Sequence, residues 1–343
     1  MPEEIIEIDG SKYEGGGAIL RVATALSAIF KKPCRVFNIR SNRPKPGLAI
    51  QHLLGIQALS QLCNGYLQGD ELGSEEIKFY PGEIKAEDLH IKIPSAGSIT
   101  LALQTLIPAA LQSSEPVKII FDGGGTDVPF SPTIDYFSSV FLKILEKMGI
   151  KIELNILQRG YYPKGGAKVI IKILPCNLKP LNLVERGQFS KILVISGASN
   201  SLKDKKVAER QMAGTREVLG KLKLPIEEKR EYYQTQSPGS QICLTALFEN
   251  TIIGTDNLGK LGKRTEDVGK EAALELLKEQ KSQACLDKHL ADQILPFMAL
   301  AHGKSQVSVS EITEHCKTNI WVIEKFLEGK FEIKGNLIKW TPN

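Results

Sequence analysis

His315, in the segment 314–319, offers a neutral imidazole that could act as a nitrogen nucleophile near neutral pH. The sequence pattern places it between a short strand and a helix predicted over residues 319–327, with Thr318 as the N-cap. A phosphate bound beside His315 would then be stabilised by the helix N-terminus. On position alone, an ordinary histidine in a surface loop is the simpler interpretation.

The segment Glu14–Gly17 joins a predicted strand to a predicted helix through three consecutive glycines. The free N–H groups at the start of such a helix could bind an anion, although most glycine turns only accommodate tight backbone geometry. Glu14 adds a potential metal-binding carboxylate, and Arg21, one to two turns into the helix, adds a guanidinium suited to phosphate.

A second basic cluster lies in the loop 40–47, which contains Arg40, Arg43 and Lys45 between prolines that limit its flexibility. Arginine forks bind phosphate through paired hydrogen bonds. Gln51 and His52 follow on the next predicted helix. The span therefore concentrates phosphate-compatible groups, with a merely solvated basic loop as the alternative interpretation.

Several familiar motifs are excluded. Residues 254–261 approach the phosphate-binding GxxxxGK[ST] pattern, but Leu261 stands where a magnesium-binding hydroxyl is required. The five histidines form no HExxH motif, and their spacing suggests no metal trio, so a zinc enzyme is not expected. The six cysteines include no CxxC pair, which indicates reduced thiols rather than a zinc knuckle or a disulfide framework.

Composition sets the broad class. A chain of 343 residues, 42% hydrophobic and 24% charged, can bury the core of one elaborated domain or two ordinary ones. Its net charge of +5 permits an anionic partner without requiring one. We expect a cytoplasmic protein without a membrane partner, because the start lacks signal-peptide features and no apolar run approaches bilayer length.

The predicted elements repeat along the chain. A strand-helix-strand-helix-strand-strand order, βαβαββ, occurs over residues 5–80, again over 89–173, and a third time after residue 284. Such repetition predicts the α/β class, with each unit packing two helices on a sheet face. Residues 186–283 interrupt the order, which predicts a smaller inserted α/β domain beside a catalytic repeat domain of residues 1–185 plus 284–343.

Together these spaced motifs resemble RNA 3′-terminal phosphate cyclases over essentially the whole chain. The resemblance implies three repeats like the C-terminal domain of translation initiation factor three, plus an insert. It is carried by Asp9–Gly10, Glu14–Gly17, Arg21, residues 40–48, Gln51, His52, residues 95–98, Gln104, residues 124–127, residues 162–166, residues 290–293, His315 and Thr318–Asn319.

The resemblance also implies a reaction, that of an ATP-dependent ligase of RNA processing. His315 would attack the α-phosphorus of ATP, release pyrophosphate and become covalently joined to AMP. AMP would pass to the 3′-phosphate of an RNA, and the adjacent ribose 2′-OH would then attack that phosphate. The products would be AMP and an RNA ending in a 2′,3′-cyclic phosphate.

The family pattern assigns further roles. Glu14 would hold a divalent metal, Mg or Mn. At position 289 this chain has histidine where many relatives have a tyrosine that lies against adenine, so the contribution of His289 to ATP affinity is left open. We expect weak base specificity, with backbone and 2′-OH contacts dominating RNA recognition. Phosphates and the RNA terminus would contact Arg21, Arg40, Arg43, Gln51 and His52, and ATP would contact Gln104, Pro132, His289, Leu290, Ala291, Asp292 and Gln293.

Two alternatives compete with this interpretation. One is a non-catalytic relative that acts in ribosome assembly without the nucleotidyl histidine, and His315 argues against it. The other is a carbohydrate-phosphate synthase built from similar repeats, which explains neither His315 nor the segment 289–293. The sequence leaves open the physiological RNA, the preferred metal, the oligomeric state and the purpose of the insert.

Overall fold

The computed structural model describes residues 4–85 and 87–343, and its architecture is mixed α/β, as predicted. The first repeat forms a four-stranded sheet of order β1-β2-β4-β3, in which only β1 and β2 are parallel. Its elements are β1 (Ile6–Asp9), α1 (Gly17–Phe30), β2 (Cys34–Phe37), α2 (Ile50–Leu62), β3 (Tyr66–Gln68) and β4 (Ile77–Tyr80).

The second repeat has the same sheet order, β5-β6-β8-β7, and the same single parallel pair. Its second helix changes pitch in a π-helical segment, Phe137–Phe141, between α4 and α5. The elements are β5 (Leu89–Ser98), α3 (Ile99–Ala110), β6 (Val117–Gly125), α4 (Ile134–Tyr136), α5 (Leu142–Lys147), β7 (Lys151–Gln158) and β8 (Lys168–Leu174).

A short strand, β9 (Asn182–Leu183), precedes a separate four-stranded sheet of order β11-β10-β12-β13. Helices α6 and α7 pack on each other, and their apolar side chains join those of this sheet in a second hydrophobic cluster. The elements are β10 (Phe189–Ser199), α6 (Val207–Leu219), β11 (Ile226–Tyr233), β12 (Ser240–Phe248), β13 (Ile252–Leu258) and α7 (Thr265–Lys281).

The third repeat then resumes and forms the sheet β9-β14-β16-β15. The sequence pattern predicted that this repeat begins after residue 284. Its first strand is instead β9, which precedes the insertion and pairs in parallel with β14. A two-residue strand is too short to show a period. The remaining elements are α8 (Lys288–Leu300), β14 (Ser305–Ser308), α9 (Glu314–Phe326), β15 (Gly329–Lys334) and β16 (Leu337–Pro342).

Helix α9 begins five residues earlier than predicted. Thr313 is its N-cap and accepts a hydrogen bond from the Cys316 N–H at 3.2 Å, so His315 lies in the first helical turn and not in a loop. The sequence pattern missed this turn because the buried face of α9 carries polar Thr318 and Asn319 before its apolar residues begin. Helices are recognised in a sequence by apolar residues that recur at the helical period, and two polar residues at buried positions interrupt that pattern.

One large hydrophobic cluster runs through all three repeats, and Tyr136, Phe121 and Trp340 are among its largest fully buried side chains. The inserted sheet contacts this body through polar groups as well: the Tyr161 hydroxyl donates to Gln241 Oε1 at 2.5 Å, and Gln241 Nε2 donates to Asp135 at 3.1 Å. The assignment of residues 186–283 to a domain of their own stays a prediction. No helix in the described ranges is long and apolar enough to cross a membrane.

Arg159 holds together the charged centre of this contact. Its guanidinium binds both carboxylate oxygens of Asp135, at 2.5 and 2.9 Å, and one of Asp127 at 3.2 Å, and all three side chains are buried. It also lies 4.4 Å from the ring centre of Tyr233 in the insert.

Replacement of Arg159 by methionine should lower the free energy of unfolding by about 3–5 kcal/mol, because two buried carboxylates lose their cation. Urea denaturation measures this change. The control is Lys191→Met, which breaks an exposed pair with Glu227 and should cost less than about 1 kcal/mol. Equal losses in the two variants would contradict the assigned role.

Candidate active site

The candidate site lies where α1 of the first repeat packs against α9 of the third. Glu14, just before α1, places its Oε2 atom 3.6 Å from Nδ1 of His315 on α9. Arg43, from the loop after β2, forms an ion pair with the other oxygen, Oε1. A histidine, a carboxylate and an arginine that are far apart in sequence therefore meet at one point.

His315 is suited to act as a nucleophile. Burial, followed by the charges of Arg21, Arg43 and His289, lowers the pKa of the imidazole. The Nδ1 atom is fully buried and faces Glu14, while the side chain as a whole is 45% exposed. The accessible nitrogen is therefore Nε2.

Two polar residues of α9 fix the neighbouring segments. The Thr318 hydroxyl donates to Glu314 O at 2.7 Å and accepts from the Glu14 N–H at 3.4 Å. Asn319 Nδ2 donates to the carbonyl of Asp292 on α8 at 2.9 Å. Thr318 is thus not the N-cap that the sequence predicted, and it positions the backbone of Glu14 instead.

Arg21, on α1, adds a partly buried cation to the site. Burial lowers the pKa of its guanidinium to about 10, and the charge of Asp292 opposes this effect. Burial likewise raises the pKa of Asp292 to about 7, opposed by Arg21. Burial and the charges of Arg21 and Arg40 lower the pKa of His52 to about 3, so His52 is neutral. A side chain at Gly17 would collide with this imidazole, which explains the glycine.

The predicted phosphate-binding residues make different contacts. Arg43 reaches Glu14, whereas Arg40 has a left-handed φ of 54° and donates from Nη1 to Gly47 O at 2.7 Å, which closes its own loop. Gln51 lies at the start of α2, near Gly97 of β5. Arg43 therefore contacts Glu14 directly, whereas Arg40 binds its own loop and Gln51 lies beside β5.

The predicted nucleotide residues surround the N-terminus of α8. Gln104 Nε2 donates to Gln293 Oε1 at 2.9 Å, and Gln293 Nε2 donates to His289 O at 2.6 Å. Pro132 directly precedes Thr133, whose backbone N–H donates to Asp256 of the insert at 2.7 Å. The side chains of Leu290 and Ala291 are buried in the core, so a ligand could contact them only through their backbone.

Asp287 is a structural residue beside the candidate nucleotide site that sequence reasoning missed. It is the N-cap of α8, where Oδ1 accepts from the N–H groups of His289 and Leu290 at 3.1 and 2.9 Å and from the Tyr136 hydroxyl at 2.7 Å. Its Oδ2 atom accepts from the Gly254 N–H of the insert at 3.1 Å. An Asp just before an apolar helical period is a recognised N-cap signal and could have revealed it.

Glu14 is the candidate metal ligand. Both of its carboxylate oxygens are buried without a partner of hydrogen-bonding geometry, and they lie against Gly16, where any side chain would collide with them. In residues 4–85 and 87–343, no group of three or more His, Cys, Asp and Glu side chains could hold a metal ion. A magnesium-like ion fits a single carboxylate when substrate phosphates and water complete its shell.

A half-exposed imidazole, a buried carboxylate that pairs with Arg43, and further arginines form a site with the chemistry to handle phosphate on an α/β repeat fold. Comparison with known proteins gives the family. Residues 12–333 match the family model described as RNA 3′-terminal phosphate cyclase, and the chain belongs to this family.

Curated relatives carry the same name. The protein of Pyrococcus furiosus is 46% identical over 97% of this chain and 96% of its own length, and that of Thermococcus kodakarensis is 47% identical over 98% and 96%. The protein of Saccharolobus solfataricus is 45% identical over 96% and 97%. All three are named RNA 3′-terminal phosphate cyclase.

Among solved structures, an enolpyruvyl transferase from Streptomyces tendae matches with a TM-score of 0.42 and 9% identity. The match covers 99% of this chain and 48% of that one. At this level of similarity it supports no conclusion. The likeness to the initiation factor three domain and the individual site residues stay predictions.

Proposed function

We propose that this protein converts RNA 3′-phosphate ends into 2′,3′-cyclic phosphates at the expense of ATP, through an AMP covalently bound to His315. The observation that carries the proposal is the half-exposed His315 imidazole, whose pKa is lowered, beside Glu14 and Arg43. A non-catalytic ribosome-assembly role would give this arrangement no purpose.

In the first step, Nε2 of His315 attacks the α-phosphorus of ATP, a P–N bond forms, and the bond to pyrophosphate breaks. In the second, an oxygen of the RNA 3′-phosphate attacks the same phosphorus, the P–N bond breaks, and the histidine is regenerated. In the third, the ribose 2′-oxygen attacks the 3′-phosphorus, its proton passes to solvent, and AMP leaves.

The chain's own residues supply positioning and charge. Arg21 and Arg43 would bind phosphate oxygens and stabilise charge that develops on them. Gln104, Pro132, Asp292, Gln293 and the backbone of residues 289–291 would hold the nucleotide. Glu14 would hold a divalent ion, Mg or Mn, which when bound neutralises negative charge on the departing phosphates.

His289 marks the adenine side of the proposed nucleotide site, with Asp256 of the insert close enough for their charges to interact. We infer that residues 186–283 form an inserted domain that contacts the repeats at two points: Asp256 accepts from the Thr133 N–H, just before α4, and the Gly254 N–H donates to Asp287, the N-cap of α8. We also propose that the protein is cytoplasmic.

Incubation with a divalent ion and α-labelled ATP should yield acid-labile label on the protein, and RNA with a 3′-phosphate should discharge it. A protein that never acquires label would refute the proposed mechanism.

The terminal 2′-OH provides a sharper prediction for the third step. An oligonucleotide with a 2′-deoxy terminal nucleotide and a 3′-phosphate should discharge the labelled protein and accumulate as an adenylated end. It should show no cyclic product, because it lacks the attacking oxygen. Chromatography of the labelled oligonucleotide measures both species. If the deoxy and ribo ends both returned free AMP at equal rates, the assigned order of steps would be wrong.

A further inference from the structure

Two aromatic rings lie together beside the candidate site. Tyr13 directly precedes Glu14, and Trp321 follows His315 by six residues on α9, roughly 9 Å along the helix axis. Their ring centres are 6.4 Å apart, with the ring planes at 65°. Tyr13 is 47% exposed, and Trp321 is partly buried against the core. The pair is therefore anchored on one side and open to solvent on the other.

The backbone at Tyr13 is unusual for such a residue. Its φ of 51° falls in the left-handed region, where a bulky side chain costs roughly 1–2 kcal/mol and glycine would fit without strain. The turn around it is closed by a hydrogen bond from the Gly15 N–H to Lys12 O at 3.0 Å. Strained positions of this kind cluster at functional sites.

Positive charge accompanies both rings. The Lys12 ammonium lies 5.6 Å from the ring centre of Tyr13, and that of Lys325 lies 5.9 Å from the ring centre of Trp321. Lys317, on the same helix, pairs with Glu314 at 2.6 Å. A surface that combines aromatic rings with lysines is typical of proteins that bind single-stranded nucleic acid.

The positive charge continues away from the site. Lys325 also lines a shallow cleft at the N-terminal edge of the first sheet, where Lys31 and Lys32 face it. Glu4 and Glu7 line the same cleft, and Lys31 pairs with Glu83, so its charge is mixed. Lys12 and Lys325, in contrast, lie directly against the two rings.

We propose that Tyr13 and Trp321 form a stacking platform for nucleobases just upstream of the RNA 3′-end, with Lys12, Lys317 and Lys325 binding the backbone phosphates. This inference rests on the proposed function and names how that function's substrate is held. Stacking on a ring is indifferent to base identity, which agrees with the weak base specificity expected for this family. The platform explains why a strained tyrosine occupies a position suited to glycine.

Tryptophan fluorescence tests the platform directly. The chain has two tryptophans, and the second, Trp340, is fully buried against Phe331. Titration with a 3′-phosphorylated RNA of about ten nucleotides, without ATP, should quench the emission saturably. Trp321→Phe, which keeps an apolar ring against the core, should abolish the quench. RNA that binds by fluorescence anisotropy without any change in tryptophan emission would overturn the platform.

Tyr13→Gly provides the second test, since the backbone there already favours glycine and folding should be preserved. It should weaken RNA binding by about tenfold. The control is Tyr66→Ala, which removes a 60% exposed tyrosine from β3. This strand forms the edge of the first sheet opposite β1, the strand that precedes Tyr13, and the change should leave RNA binding unaltered. Undiminished binding by Tyr13→Gly would refute the role of this ring.

Protein labelling by α-labelled ATP, measured on the same samples, separates the two proposals. Label without a fluorescence quench would overturn the platform alone. A quench without label would support the platform and overturn the proposed cyclase mechanism.

Discussion

Replacement of His315 by alanine should abolish the covalent AMP and lower RNA cyclisation by at least about a thousandfold. The effect is this large because no other step can deliver AMP to the RNA once the nucleophile is gone. Neighbouring groups would still bind substrates, so affinity for RNA should change little. Labelling with α-labelled ATP and end analysis of the RNA measure the two losses separately.

The matched control is His302→Ala, which removes an exposed histidine from the turn after α8. It should adenylylate and cyclise at the unaltered rate. Since the His315 side chain is 45% exposed, His315→Ala should also keep its urea midpoint within the error of the measurement. Persistent label in His315→Ala would show that another residue carries AMP.

Removal of the Arg21 charge should produce the second largest effect. Arg21→Gln should slow protein adenylylation by about 100- to 1000-fold, because a partly buried guanidinium stabilises phosphate charge better than a fully solvated one. It should also push the pKa of Asp292 above its present value of about 7, since Arg21 is the group that opposes the effect of burial there. Rapid-quench kinetics with saturating ATP measure the rate.

Arg35→Gln is the control for this change. Arg35 lies on β2 and pairs with Glu7 and Glu76 at the protein surface, outside the candidate site. Its loss should leave adenylylation unchanged. Equal rates for Arg21→Gln and the unaltered protein would place Arg21 outside the reaction.

The repeat architecture could be read from the sequence because each unit carries long apolar helices and strands with clear periods. The strand β9 could not be predicted, because two residues define no period. Its partner strand β14 also lies on the other side of the whole insert in sequence. In the insert, the segment Ile226–Tyr233 of β11 gives no clear strand pattern, because most of its residues are charged and none is buried. Its pairing with β10 stabilises it instead.

The site was predicted residue by residue only through the family resemblance. Composition and spacing alone left His315 in a loop, because the buried positions Thr318 and Asn319 of α9 are polar and bind neighbouring segments, which obscures the helical pattern. The ion pair between Glu14 and Arg43 likewise depends on how two repeats pack, which no local pattern encodes. Asp287 was missed although its capping signal is local and could have been recognised.

The central claim is that AMP is carried by His315, and peptide mass spectrometry of the protein after incubation with ATP and a divalent ion tests it most directly. The account predicts one adenylylated peptide, modified at His315, that disappears when 3′-phosphorylated RNA is added and a cyclic end is formed. AMP on another residue, such as Lys12 or Lys317, or cyclic ends formed without any adenylylated protein, would contradict it.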